Sequence, residues 1–159
     1  MELEFDVKIE QNILYDYMLH HTYSGFSGVL GTVVGALICV AGVWRGGAIY
    51  LVAGLVILMY NPVSLFLRSA KQMKNTPAFA KPLHYKMTEE GMFVSQDGAE
   101  EFQEWASMYK ATSSSQSIIL YTTPFRASIF PRKDLKENQT AVIEIISKHL
   151  PPAKVKIKA

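Results

Sequence analysis

The sequence predicts a membrane α+β protein: a two-helix transmembrane hairpin joined to a small antiparallel β-domain that a C-terminal helix caps. Three observations predict it. Two uncharged apolar stretches, Phe26–Trp44 and Ala48–Leu67, are separated only by Arg45-Gly46-Gly47. Residues 83–130 break into short β-prone runs punctuated by turn dipeptides. Beyond Asp134, the residues Leu135, Val142, Ile145, Ile146 and Leu150 recur at helical spacing until Pro151-Pro152 stops them.

In residues 1–25, Leu3, Phe5, Val7 and Ile9 alternate with charged neighbours, the period of a half-buried strand. Ile13, Leu14, Tyr17, Met18 and His21 then follow helical spacing and predict a short amphipathic helix. It either packs on the β-domain or lies in the headgroup layer. The spans 26–44 and 48–67 each approach the roughly 20 residues a helix needs to cross a bilayer core. A three-residue joint forces a tight hairpin, so the flanking parts of the chain share one side. The first span is no removable signal peptide, because its leading flank is acidic and a second span follows at once. Asn61-Pro62 predicts a kink or a helix end inside the second span.

A basic linker, 68–82, leads to a cytoplasmic β-domain over 83–150, followed by a basic tail, 151–159. The expected strands are His84–Thr88, Met92–Ser95, Glu101–Trp105, Ser107–Ala111, Ile118–Thr122 and Arg126–Phe130. Asp97-Gly98 is the strongest hairpin signal. Pro131 stops the ladder, and Asp134 with Glu137 forms a capping-box-like start to the last helix. Six strands and one closing helix describe a curved sheet or open barrel of the kind found in pleckstrin-homology-like domains. Leu3–Ile9 supplies a seventh strand, which makes the spans an insertion into one β-domain.

The net charge of +2 conceals a polarity. Glu2, Glu4, Asp6, Glu10 and Asp16 face only Lys8 in the first segment, whereas Arg68, Lys71, Lys74, Lys81 and Lys86 precede the next acid, Glu89. Lys154, Lys156 and Lys158 crowd the tail. The hairpin tip offers Arg45 alone, so the positive-inside rule places both termini in the cytoplasm. Arg68, Lys71, Lys74 and Lys81 are candidates to meet anionic lipid, at about 1 kcal/mol each, or serve topology alone. Arg132 and Lys133, with Lys136, either hold a lipid phosphate at the start of the last helix or are plain surface. The basic residues are not interleaved with aromatics in a way that suggests nucleic acid.

Ser27, Gly31 and Gly35 form a four-residue ridge of small side chains, with Gly28 and Thr32 beside it. Such ridges let helices approach closely, either within the hairpin or between two copies. Gly31 and Gly35 are therefore expected to tolerate Leu less well than Gly54. Cys39, the only cysteine, reads as a packing residue. His20 and His21 point about 100° apart on a helix and suit no shared metal ion. Glu89-Glu90 and Glu100-Glu101 read as solvated loop charges, and Ser113–Ser115 lacks a nearby histidine to activate a nucleophile. No catalytic, metal or cofactor motif emerges, and the expectation is a non-enzymatic protein.

The hairpin, Glu104-Trp105 followed by Tyr109-Lys110, and the run Ile129-Phe130-Pro131-Arg132-Lys133-Asp134-Leu135 resemble the YcxB-like family of small bacterial membrane proteins. The likeness covers nearly the whole chain. It implies a bacterial plasma-membrane protein with a pleckstrin-like cytoplasmic domain, and it carries over a fold without catalytic residues. The expected role is a membrane-anchored interaction module binding a protein partner or anionic lipid at the inner leaflet. The alternative is an accessory or immunity-type protein, packed through its hairpin against a larger transporter or toxin. Homo-oligomers fit either reading.

Overall fold

The computed structural model describes residues 2–158, apart from the side chain of Ser27. The chain forms two compact units. One is Met18–Gln72; the other joins the chain up to Tyr17 with the chain from Met73 onward.

Within the helical unit, α2 (Phe26–Arg45) and α3 (Ala48–Asn75) form the expected apolar pair. Gly46 ends α2 with φ of 68°, a left-handed conformation that an L side chain resists, and Gly47 N–H returns 3.1 Å to the Gly42 carbonyl. The helices run antiparallel, so Gly42 meets Leu51 and Gly35 meets Ile57 and Leu58. The closest approach is at Gly54. A Cβ there would overlap Cys39 Sγ and lie 2.8 Å from the Gly35 carbonyl and 2.9 Å from Cys39 N. A Cβ on Gly31 would meet only Asn61 Nδ2, at an ordinary 3.6 Å. The expected order is thereby corrected for Gly31 against Gly54: along the seam between the two helices the tightest glycine belongs to α3, while Gly35 of the ridge is also close-packed, its Cβ falling 2.9 Å from Leu58 Cγ. Ser27, the third ridge residue, has its side chain outside the described set.

Neither Pro62 nor Leu67 ends α3. The segment read as a linker stays helical through Asn75, since Leu65, Leu67, Arg68, Ala70, Lys71, Gln72, Met73 and Lys74 are all good helix formers. Ser64 Oγ donates to the Asn61 carbonyl at 3.1 Å, beside the proline.

The β-rich unit holds two four-stranded sheets. The first runs β1 (Leu3–Val7), β2 (Leu83–Met87), β3 (Gly91–Gln96), β4 (Ala99–Glu104), all antiparallel. Leu3 opposes Met87 and Val7 opposes Leu83, so the alternating N-terminal segment forms one edge of this sheet. Asp97 (φ 51°) and Gly98 (φ 84°) make the two-residue turn between β3 and β4. The second sheet is ordered β7 (Ala127–Pro131), β6 (Ser117–Tyr121), β5 (Lys110–Ser113), β8 (Val155–Lys156).

Three departures stand out. Trp105 leaves the strand and opens a 3-10 turn, Trp105–Ser107, so β5 starts only at Lys110. The basic tail is not free: β8 pairs in parallel with β5, and Lys158 N–H donates to Ser113 Oγ at 2.8 Å. The capping box does not form. Asp134 instead accepts the Lys8 N–H at 3.0 Å, Lys136 takes φ of 48°, and the last helix splits into α4 (Arg132–Leu135) and α5 (Gln139–His149).

The two sheets meet at an aromatic triad. Phe130 stands edge-on to Phe5 at 5.5 Å and to Tyr85 at 5.0 Å, while Phe5 and Tyr85 stack at 5.8 Å. Met87, Met92, Ile118, Leu120, Leu135, Val142 and Ile146 complete the core. The first half of α1 (Gln11–Tyr23) also packs on this domain: Ile13 and Leu14 are buried, and Tyr17 lies 6.2 Å from the Tyr121 ring.

Candidate interaction surfaces

The six basic candidates divide into two kinds. Arg68, Lys71 and Lys74 follow one another at three-residue steps on α3, which keeps them on one side of the helix. All three are exposed, and among the described residues none has an ion-pair partner. Lys81, Lys133 and Arg132 are instead internal ties. Lys81 donates to both Asp97 oxygens at 2.8 Å. Lys133 sits 2.7 Å from Glu10 and holds that carboxyl below its ordinary range. Arg132 donates to the Lys158 carbonyl at 2.6 Å. Because α4 has only one turn, it offers no extended N-terminal anion site here.

The serine loop is a structural joint. Ser114 and Ser115 donate to the two oxygens of Asp16, the latter at 2.8 Å, and Ser117 N–H donates to Ser114 Oγ at 3.1 Å. This fastens α1 to the β5–β6 turn. His20 and His21 occupy the last turn of α1, and no group of three or more His, Cys, Asp or Glu able to hold a metal occurs among the described residues. Burial pushes the Tyr17 and Tyr121 hydroxyls up, so both stay neutral, and Lys110 lies 4.8 Å over the Tyr121 ring.

Another polar grouping lies at the β2–β3 turn. Trp105 and His149 stack with centroids 5.0 Å apart and planes 4° apart. Trp105 Nε1 donates to the Thr88 carbonyl at 2.8 Å, and His149 Nε2 is 3.3 Å from Glu89. Lys148 donates to both Glu89 oxygens at 2.8 and 2.7 Å, and that hydrogen bond is the largest cause holding the Glu89 carboxyl down to about 2.

Beside it, Glu90, Phe102, Glu104 and Ala106 line an open cleft of about 370 Å³. Phe102 is 42% exposed even though its ring packs 4.6 Å from Phe93. The sequence reading missed this feature by treating Glu89-Glu90 and Glu100-Glu101 as loop charges. The signal available was the alternation Glu100, Phe102, Glu104 on a strand that ends a sheet.

No family model matches the chain, and neither the curated proteins nor the solved structures include a match to it.

Proposed function

We propose that this chain is a membrane-anchored, non-enzymatic interaction module. Its hairpin spans the bilayer, both termini face the cytoplasm, and its β-domain works at the inner leaflet as a binding platform. One observation carries the reading. The two long apolar helices leave most of their large side chains uncovered, Val43 at 73% and Ile49 at 75%, yet α3 ends in three exposed, unpaired cations. Lipid would cover the first surface, and anionic headgroups would meet the second at about 1 kcal/mol per cation. The strand order β1-β2-β3-β4 beside β7-β6-β5, with a helix after β7, supports the pleckstrin-like description of the domain. It is compatible with membership of the YcxB-like family.

The test is alkaline extraction of membranes, combined with topology reporters fused at Met1, Gly46 and Ala159. The expected outcome is retention in the pellet, with only the Gly46 reporter outside. Release by alkali, or an external Ala159 reporter, overturns the reading. Replacing Arg68, Lys71 and Lys74 together by Glu is expected to scramble the orientation.

A further inference from the structure

β4 closes the first sheet on one side, and among the described residues nothing pairs with its outer edge. The two-residue turn at Asp97-Gly98 makes Gln96 and Ala99 a hydrogen-bonded pair. Antiparallel alternation then commits Ala99, Glu101 and Gln103 to β3, consistent with Trp105 N–H reaching the Glu90 carbonyl. The backbone N–H and C=O of Glu100 and Phe102 therefore point outward. The Glu104 carbonyl is already taken by Ser107 Oγ at 2.7 Å, which ends the open stretch.

Side chains reinforce this edge. Glu100, Phe102 and Glu104 lie on one face, two residues apart. Several other acids of the domain are paired: Glu2 and Glu4 meet Lys86, Asp6 meets His84, Glu10 meets Lys133, Glu89 meets Lys148, and Asp97 meets Lys81. Among the described residues, Glu90, Glu100 and Glu104 have no such partner. Sheet edges are usually blunted by charged side chains, lysine above all, by a bulge or by a cover. This one carries uncompensated carboxylates around an exposed aromatic ring and a cleft.

We propose that the β4 edge is a docking site for an extended segment of a partner protein with the pattern basic–x–apolar–x–basic. The segment adds as a further antiparallel strand, hydrogen-bonding to Glu100 and Phe102. Its two cations oppose Glu100 and Glu104, and its apolar side chain lies against Phe102 at the mouth of the cleft. The chain's own tail lacks this pattern, because in Lys154-Val155-Lys156-Ile157-Lys158 the residue midway between the outer cations is Lys156 and not an apolar one, and the tail is already laid on β5. The proposal rests on the reading of the domain as an interaction module and supplies the site and the partner's chemistry.

The test uses the full chain in neutral detergent, so that it does not depend on membrane orientation. The probe is a capped, dye-labelled peptide containing Lys-Thr-Val-Thr-Lys, read by fluorescence anisotropy. Saturable binding is expected. Glu100→Lys and Glu104→Lys should each weaken it about three- to tenfold, since like charges then face one another across the pair. Glu137→Lys, in the turn before α5, and Glu144→Lys, on α5, change net charge equally and should leave it within about twofold. N-methylating the peptide bonds that face β4 should abolish binding. Equal effects from the Glu137 and Glu144 variants, undiminished binding of the N-methylated peptide, or no saturable binding at all would overturn the proposal. So would self-association of the chain that Glu100→Lys disperses. Alkaline extraction tests the membrane reading separately, so either can fail alone.

Discussion

Replacing Gly54 by Ala should open the helical hairpin, and the size of the effect can be worked from the seam. The added Cβ would overlap Cys39 Sγ and stand 2.8 and 2.9 Å from backbone atoms of α2. The sulfur can swing away, but a backbone carbonyl and amide cannot. Restoring ordinary contact distances requires the helices to part by about 0.5–1 Å, which forfeits a quarter to a half of the dispersion well for atom pairs across the seam. Overpacking of this kind costs about 1–3 kcal/mol. In lipid no hydrophobic drive between helices makes up the loss. Gly31→Ala serves as the comparison: it brings the same gain in helix propensity, about 1 kcal/mol, but its Cβ meets only Asn61 Nδ2 at 3.6 Å. Cys39, the chain's single thiol, lies at the seam and reports on opening. In mild detergent, Gly54→Ala should speed maleimide labelling of Cys39 by about 5- to 150-fold, the factor that corresponds to 1–3 kcal/mol. Gly42→Ala, whose Cβ would sit 2.9 Å from Leu51 N, should do likewise. Gly31→Ala should leave the rate unchanged or lower it. Equal acceleration by Gly31→Ala and Gly54→Ala would refute the seam.

Phe130→Ala removes the ring that both Phe5 and Tyr85 meet edge-on, and it should cost about 3–5 kcal/mol in denaturant unfolding. Burial raises the Tyr85 hydroxyl to about 12, above its ordinary 10, so its contribution is intact below pH 10 and is lost as pH climbs through 12. Ultraviolet titration of wild type against Tyr85→Phe should show one phenolate fewer appearing only at that upper step. Glu89 is depressed from 4.5 to about 2, chiefly by the hydrogen bond and charge of Lys148. Glu89→Gln should therefore lower Tm at neutral pH, with the gap to wild type closing as pH falls from 4.5 towards 2. A pH-independent gap would assign the loss to something other than the ion pair.

Much of this fold is written locally. The alternation of Leu3, Phe5 and Val7 marks a strand with one buried face, and Phe5 and Val7 are buried. Asp97-Gly98 marks its turn because left-handed backbone is cheap for those residues. What escaped was set by distant partners. The Asp134 carboxylate looked like a helix cap until β1 brought the Lys8 amide to it. Val155 and Lys156 carry too little pattern to announce a strand, and only the open edge of β5 makes them one. Gly54 has no small neighbour at four-residue spacing on the side that matters, so its role is invisible without the register of the facing helix. Phe102 and Glu104 were legible as part of a strand, while Glu100 was read as a loop charge; that the strand is an uncovered edge was not legible, because a strand's place in the sheet order is not a property of its own residues.

The pairing of β1 with β2 has a bearing on biosynthesis. β1 is made before α1, α2 and α3, whereas its hydrogen-bonding partner is made after all three. At about 5–20 residues per second, the first strand waits several seconds with Phe5 and Val7 exposed. Closing so long a loop is entropically slow if the intervening chain is slack. A hairpin that folds first shortens the loop, because its antiparallel helices return the growing chain to where it began. Early folding of the apolar insertion would thus bring the two ends of the split sheet together. A fragment beginning after α3 would lack β1, leaving Tyr85 and Met87 at a raw edge.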